Sequence, residues 1–146
     1  MQQHIKLLLE YSKELDILYV EDDRILADNT AELLENYFHS VDTVYDGKDG
    51  LDKYQEYSKA NNRFYDIVIT DIQMPKMDGI ELCENILKKN EMQSIIITTA
   101  HNEINFLLSA IDLGIDGFLV KPLKTEQLIK VLFKTTCNVS DHKFVT

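Results

Sequence analysis

The stretch ITDIQMPKMDG, residues 69–79, passes from an apolar segment to a loop within a few positions. Its first residues end a β-branched, apolar run, which is typical of a strand that is covered on both faces. The run ends at one carboxylate, Asp71, and the chain then turns through Pro75, which restricts the backbone, and Gly79, which frees it. This pattern predicts a buried strand that leads through a stiff loop into a helix.

The same alternation of strand and helix patterns continues on both sides of this stretch. Short β-rich apolar segments predict five strands, at residues 17–20, 43–45, 67–70, 95–98 and 117–120. Apolar residues spaced three and four apart predict helices at residues 24–38, 48–57, 80–89, 103–113 and 125–136. The first, third, fourth and fifth strands are apolar on consecutive residues, so we expect helices to cover both faces of a parallel sheet. The predicted fold class is α/β, an open, doubly wound five-stranded parallel sheet flanked by helices.

Composition and charge narrow the function classes. The chain of 146 residues has 45% hydrophobic and 27% charged residues, proportions typical of one globular domain. Its formal charge of −10 repels phosphate backbones and anionic lipid, which argues against direct binding to nucleic acid or to a membrane. Cys83 and Cys137 lack metal-ligand spacing, so we expect buried free thiols in a reducing compartment. No apolar run is long enough to span a bilayer and no signal peptide is recognisable, so the expected location is the cytoplasm.

The two ends of the chain lie outside this alternation. Apolar residues recur at helical spacing within residues 1–15, which predicts a short N-terminal helical extension. The alternating domain is expected at residues 16–136. Residues 137–146 are expected to form a C-terminal tail, which could be a linker to an output domain that is absent from this chain.

Polar residues follow four of the five predicted strands. Glu21 and Asp22 come after the first strand, Asp71 after the third, Thr99 after the fourth and Lys121 after the fifth. In an open α/β sheet the loops after the strands meet at one edge, where ligands bind. We therefore expect these five side chains to converge.

The convergence of several carboxylates indicates a cation. Carboxylates gathered in one site repel each other, and a divalent ion relieves that repulsion. Hard oxygen ligands without a His or Cys pair suit Mg²⁺, or Mn²⁺, better than zinc. Lys121 and Thr99 would neutralise and hydrogen-bond the oxygens of a transferring phosphoryl group, and Asp71 would then be the nucleophile.

Each of these residues also has an ordinary structural interpretation. The acids after the first strand could stabilise a helix N-terminus, and Asp71 could be a turn residue. Thr99 could cap the following helix, Phe118 could belong to the core, and His101 could be a solvent-facing loop residue. Four independent coincidences at one sheet edge favour the functional interpretation.

Four motifs carry a resemblance to a known family. The segments ILYVEDD, IVITDIQMPKMDG, IIITTA and GFLVKPL, in this order and spacing, resemble the receiver domain of two-component response regulators. The resemblance covers residues 16–136. It implies a flavodoxin-like fold with strand order 2-1-3-4-5, and a phosphoryl group that passes from a histidine kinase or phosphotransfer protein to Asp71.

The resemblance also implies a ligand set for Mg²⁺. Asp22 and Asp71 would carry the ion, Glu21 would complete the acidic pair through water, and the backbone carbonyl of Gln73 would supply a further ligand. Lys121 would bind the phosphate, and its peptide bond to Pro122 would be cis.

Further positions match the residues that couple phosphorylation to a surface. Thr99 and Phe118 match the two switch positions, and Phe118 stands where many members of the family have tyrosine. We expect them to control the surface formed by the helix at 103–113, the fifth strand and the helix at 125–136, through which a homodimer could form. Gln73 and His101 lie two residues beyond Asp71 and Thr99, and we expect both to influence the lifetime of the phosphate.

The output of the domain stays open at this point. The chain could be a stand-alone receiver that binds a downstream protein, or a receiver cut from a hybrid sensor kinase, a cyclase or another regulator with a fused output domain. It is not expected to be a turnover enzyme. The alternatives are a Mg²⁺-dependent aspartyl-phosphate hydrolase of the haloacid dehalogenase type, for which Gln73 stands where a second acid is needed, and a degenerate receiver that docks without being phosphorylated.

Overall fold

The structure, a computed structural model, describes the backbone of residues 2–145 and the side chains of these residues except 4, 101, 104 and 140–145. The strands are β1 (Asp16–Val20), β2 (Ser40–Val44), β3 (Ile67–Asp71), β4 (Ser94–Thr99) and β5 (Gly117–Val120). The α-helices are α1 (Gln2–Ser12), α2 (Arg24–Glu35), α3 (Gly47–Asn61), α4 (Gly79–Lys89), α5 (Ile104–Asp112) and α6 (Thr125–Val145). A 3₁₀ turn, His101–Glu103, precedes α5. Across residues 2–145, no helix is long and apolar enough to cross a membrane.

The five strands form one parallel sheet in the order β2-β1-β3-β4-β5. This confirms the predicted fold class and strand order. The register pairs Ile17 with Ile67 and Asp71 with Thr98, so the carboxyl ends of β1, β3 and β4 lie side by side. The polar residues that follow these strands are thereby brought to one edge.

Two hydrophobic layers sandwich the sheet, because successive strand residues point to opposite faces. On one face, Ile17 and Tyr19 of β1 pack with apolar residues of α1, α2 and α6. On the other face, Leu18 and Val20 pack with apolar residues of α3, α4 and α5. Residues of β1, β3 and β4 occur in both layers, so the prediction that these strands are covered on both faces is confirmed.

The prediction that β5 is also covered on both faces is wrong. Leu119 is buried on the α6 side, but Phe118, which points the other way, is 44% exposed. The physical reason is that β5 is the last strand of the sheet and pairs only with β4. Helix α5 therefore leaves the outer part of this face open.

The ends of the chain pack against each other. The predicted leading helix is present as α1, and its Leu8 is fully buried in the layer that α6 also lines. Helix α6 continues to Val145, through the segment that was expected to be a tail, and its Val139 packs on the same layer. Helices α1 and α6 are in contact, and this layer gives the extension apolar partners.

A buried carboxylate joins three elements at the amino end of the sheet. Asp16 is 5% exposed and accepts hydrogen bonds from the Ser40 hydroxyl at 2.8 Å, from the Tyr57 hydroxyl and from the Arg63 guanidinium at 2.6 Å. The His39 ring nitrogen Nδ1 lies 2.7 Å from it. Burial by itself would raise the pKa of Asp16, but these partners together lower it. The carboxylate is therefore held in its charged form.

Candidate functional site

Three carboxylates from two loops meet at the carboxyl edge of the sheet. Oxygens of Glu21, Asp22 and Asp71 all lie within 4.8 Å of one another. Glu21 is fully buried and Asp71 is 4% exposed, whereas Asp22 is exposed to solvent. Two acids thus form the floor of the cluster and the third faces water.

The difference between Glu21 and Asp22 follows from the backbone. The N–H of Glu21 donates to the carbonyl of Val44 at 3.1 Å, which extends the hydrogen bonding of β1 to β2 by one residue. Its side chain therefore keeps the alternation of the strand and points inward. Asp23 then caps α2, since its carboxylate accepts the N–H of Leu26 at 3.1 Å.

Both oxygens of the Asp71 carboxylate have a donor. Oδ1 accepts the backbone N–H of Ile72 at 2.8 Å, and Oδ2 accepts a hydrogen bond from Nζ of Lys121 at 2.8 Å. The side chain is thus held in one orientation at the end of β3. An acceptor that is fixed in this way loses little freedom when a reactant approaches.

Lys121 directly follows β5, and its side chain reaches the acidic cluster. Its Nζ is 2.7 Å from Glu21 Oε1 and 2.8 Å from Asp71 Oδ2. Burial lowers the pKa of Lys121, but the hydrogen bonds and charges of the two carboxylates outweigh burial and raise it. The ammonium therefore stays charged and supplies one positive charge opposite three acids.

The buried acid is not fully compensated by this lysine. The pKa of Glu21 is raised to about 7, mainly by burial and also by the charge of Asp71, and the hydrogen bond from Lys121 only partly offsets these effects. Additional positive charge at this point would lower the pKa and keep Glu21 ionised. The site is thus one that a cation would stabilise.

The donor set fits a hard divalent cation. The three carboxylates offer oxygen ligands only, which suits Mg²⁺ or Mn²⁺. Because Asp22 faces solvent, coordination positions would remain for water or for an oxygen of a bound ligand. Gln73, whose carbonyl was expected as a further ligand, is an exposed residue of the loop after β3.

Thr99 and the start of α5 form another wall of the site. Thr99 is 3% exposed, its hydroxyl donates to the carbonyl of Ala100 at 3.2 Å, and its own carbonyl accepts the N–H of Lys121 at 2.7 Å. The ends of β4 and β5 are thus joined beside the acids. The sequence interpretation missed Glu103, whose buried carboxylate accepts the Ala100 N–H at 2.8 Å. The spacing of Ala100 and Glu103 matches the second half of a capping box, which could have indicated it.

Residue 79 has to be glycine because its backbone packs closely against the backbone of Asp71. A Cβ atom at Gly79 would lie 2.0 Å from the carbonyl oxygen of Asp71, and the N–H of Gly79 donates to the carbonyl of Ile72 at 2.6 Å. The loop after β3 therefore folds back onto the backbone of Asp71. The sequence predicted a glycine that eases a turn, and the structure adds a contact that excludes any side chain.

The same loop is attached to the start of α3. A Cβ atom at Gly47 would lie 2.0 Å from the carbonyl oxygen of Met77, and Nζ of Lys76 is 3.6 Å from Asp46 Oδ2. Lys76 has a φ of 68°, in the region that favours glycine, and the N–H of Met77 donates to the carbonyl of Pro75 at 2.8 Å. These contacts explain the stiffness of the loop. They join distant parts of the chain, and no local pattern predicts them.

The remaining predicted residues lie around the cluster. The Lys121–Pro122 peptide bond is cis, as the resemblance implied. Phe118 is exposed on β5, with its ring outside the core. The backbone of His101 belongs to the 3₁₀ turn, but its side chain lies outside the described residues.

Comparisons with known proteins agree with this geometry. The model of the response regulator receiver domain family matches residues 17–133. The response regulator ArlR of Staphylococcus aureus is 37% identical over 113 residues, which are 77% of this chain and 48% of that protein. The chain thus spans about half the length of the curated relatives that it matches.

Solved structures give the same result. A response regulator receiver domain protein from Clostridium thermocellum has a TM-score of 0.75 at 27% identity, over 90% of this chain and 98% of its own. The N-terminal domain of an uncharacterized protein from Wolinella succinogenes has a TM-score of 0.77 at 29% identity, over 88% of this chain and 98% of its own. The chain belongs to the response regulator receiver domain family, whose members are in general signalling proteins rather than classical enzymes.

Proposed function

We propose that this domain accepts a phosphoryl group on Asp71 from the phosphohistidine of a histidine kinase or a phosphotransfer protein. The observation that carries the proposal is the position of Lys121, whose Nζ lies within hydrogen-bond distance of both Asp71 and the buried Glu21. An ammonium held at this point can neutralise charge on a phosphoryl group that joins Asp71.

The transfer involves the protein in the formation of one covalent bond. A carboxylate oxygen of Asp71 attacks phosphorus while the bond from phosphorus to the donor imidazole nitrogen breaks, and the electron pair of that bond stays on the imidazole. The Lys121 ammonium stays paired with the oxygens of the phosphoryl group during the transfer. The Thr99 hydroxyl turns from the Ala100 carbonyl and donates to one of these oxygens.

Glu21, Asp22 and Asp71, with the backbone carbonyl of Gln73, would hold Mg²⁺, and Mn²⁺ could replace it. When bound, the ion neutralises charge on the carboxylates and on the phosphoryl oxygens. The buried Glu21, whose pKa is raised although the Lys121 ammonium lies 2.7 Å away, supports this assignment.

Phosphorylation would be read out through Thr99 and Phe118. When the Thr99 hydroxyl moves to the phosphoryl group, it leaves space beside β5, and the exposed Phe118 ring turns inward to fill that space. The face formed by α5, β5 and α6 also exposes Phe106, Leu108 and Ile111. We propose that this face binds a downstream protein, a fused output domain or a second copy of the chain.

The cellular location of the domain and its place in a larger protein follow from the same proposal. A domain that takes phosphoryl groups from a kinase that uses ATP works in the cytoplasm. It acts either alone or as one domain of a longer regulator, such as a hybrid sensor kinase or a cyclase. It would promote only its own phosphorylation and dephosphorylation.

The test is phosphorylation by acetyl phosphate, followed by intact mass. We expect one phosphoryl adduct that needs Mg²⁺, disappears with EDTA and is absent in Asp71→Asn. Asp52→Asn, which changes an exposed acid on α3, is the matched control and should be phosphorylated normally. An unchanged adduct in Asp71→Asn would refute the assignment. Rapid multiple turnover of the donor would favour a hydrolase, and no adduct with the native chain would favour a module that only docks.

A further inference from the structure

A second pocket lies away from the acidic cluster, between α3 and α4. It is open and has a volume of about 440 Å³, within the range of small-molecule sites. Its lining residues are Tyr54, Gln55, Ser58, Lys59, Phe64 and Lys89. Helix α4 begins at Gly79, beside Asp71, and ends at Lys89, so this pocket and the acidic cluster lie at opposite ends of one helix.

The floor of the pocket is a fixed pair of aromatic rings. Phe64 is half-buried and stacks on Tyr54, with ring centroids 5.4 Å apart and planes inclined by 16°. Tyr54 is fully buried, and its hydroxyl donates to Gln93 Oε1 at 2.6 Å. The side chain of Gln93 in turn donates to the carbonyl of Tyr65 at 2.9 Å. The stacked rings are therefore held in place and offer a flat, apolar surface to a ligand.

The rim of the pocket has the opposite charge to the rest of the protein. The chain has 25 acidic residues and a formal charge of −10, yet the described residues that line the pocket include two lysines and no acid. Neither Lys59 nor Lys89 forms an ion pair with any side chain described in the structure. Both stand in the last turns of their helices, where the partial charge of about −0.5 at each helix end offsets only part of each ammonium charge.

We propose that this pocket binds a small, planar ring compound that carries an anionic group. The ring stacks on Phe64, the carboxylate, sulfonate or phosphate pairs with Lys59 and Lys89, and Gln55 and Ser58 supply hydrogen bonds. A compact ligand fits better than an extended chain, because the described lining of the pocket is limited to six residues. This site is independent of phosphorylation at Asp71.

The test is an NMR titration of the unphosphorylated protein, with EDTA present so that the acidic cluster holds no metal. The probes are adenosine monophosphate and naphthalene sulfonate, with adenosine and inorganic phosphate as half-ligands. We expect the two aromatic anions to shift backbone amide signals of residues 54–64 and of Lys89, with saturation near millimolar concentration. Adenosine and inorganic phosphate should each bind at least about fivefold more weakly than the aromatic anions, because one lacks the charge and the other lacks the ring.

Variants separate the two parts of the site. Lys59→Gln and Lys89→Gln should each weaken the binding of adenosine monophosphate about two- to fivefold. Lys88→Gln removes the neighbouring charge outside the pocket and should leave this binding unchanged. Phe64→Leu keeps an apolar side chain but removes the ring, and should weaken binding about tenfold.

Several outcomes would overturn the proposal. One is that neither aromatic anion gives saturable shifts, and another is that the shifts map to the acidic cluster or to the face of α5, β5 and α6. Equal affinity for phosphate and adenosine monophosphate would indicate simple ion attraction. Tighter binding of an acidic peptide that contains phenylalanine would show a peptide site instead.

Discussion

Replacing Glu21 with glutamine should make the metal-free protein more stable at alkaline pH. Glu21 is fully buried, and burial outweighs the hydrogen bond from Lys121, so that its pKa rises from the ordinary value of 4.5 to about 7. A group whose pKa is raised in the folded state contributes stability at low pH and loses it as the pH rises through the folded pKa. At pH 8 the folded protein therefore holds an ionised Glu21 at an energetic cost, which a neutral glutamine avoids.

The size of this effect follows from the difference between the two pKa values. One pKa unit corresponds to about 1.4 kcal/mol, so the ionised Glu21 costs at most about 3 kcal/mol at pH 8. This figure already includes the attraction of Lys121, which lies 2.7 Å from Glu21 and keeps Asp71 as a partner in the variant. We therefore expect a net gain of about 2–3 kcal/mol at pH 8 and of less than about 1 kcal/mol at pH 5, where Glu21 is largely protonated in the folded protein.

Urea denaturation with EDTA at pH 5 and pH 8 measures this difference. Glu84→Gln, on the exposed side of α4, is the matched control and should change stability little at either pH. If Mg²⁺ binds at Glu21 as proposed, the order should reverse at pH 8, because the native protein then gains binding energy that the variant lacks. A Glu21→Gln protein that is less stable than the native one at pH 8 without metal would refute the assignment of a costly buried charge.

Three further changes test other parts of the structure. Gly79→Ala places a Cβ atom 2.0 Å from the backbone oxygen of Asp71, so we expect a loss of about 1–3 kcal/mol in urea denaturation and slower phosphorylation by acetyl phosphate. Asp16→Asn breaks the pair with Arg63 and should cost about 2–4 kcal/mol at pH 7. Because partners lower the pKa of Asp16, its contribution is present at neutral pH and is lost as the pH falls through the folded pKa, so the difference between the two proteins should shrink in acid. Alanine at both Gln73 and His101 should change the decay rate of the phosphorylated protein, measured by intact mass over time, and an unchanged lifetime would exclude a role for both.

Much of the fold could be predicted because strands and helices impose different periods on the sequence. The consecutive apolar residues of β1, β3 and β4 are buried on both faces, as expected for inner strands of a parallel sheet. The same pattern in β5 led to a wrong expectation for Phe118, because an apolar run does not indicate whether a strand lies inside the sheet or at its edge. The predicted helix at 125–136 ends too early for a similar reason, since Val139 in the extension of α6 packs on a layer that distant elements build.

The candidate site was foreseen as a set of residues, and its geometry was not. The acids after β1, Asp71 after β3 and Lys121 after β5 could be selected because parallel strands direct their following loops to one edge. Which acid is buried could not be predicted, because both faces of β1 are covered and the alternation of the strand does not by itself distinguish Glu21 from Asp22. Asp46 supports the loop after β3 by its contact with Lys76. The two residues lie far apart in the sequence, so no local pattern indicates this contact.

Residue types and short-range spacing were enough to indicate the class of the fold, the order of its elements along the chain and the kinds of atom available for chemistry. The position of the Lys121 ammonium, 2.7 Å from Glu21 and 2.8 Å from Asp71, became known only from the folded chain. Such distances result from strand register and helix packing acting together, and a difference of a few ångströms decides whether one lysine can pair with both acids.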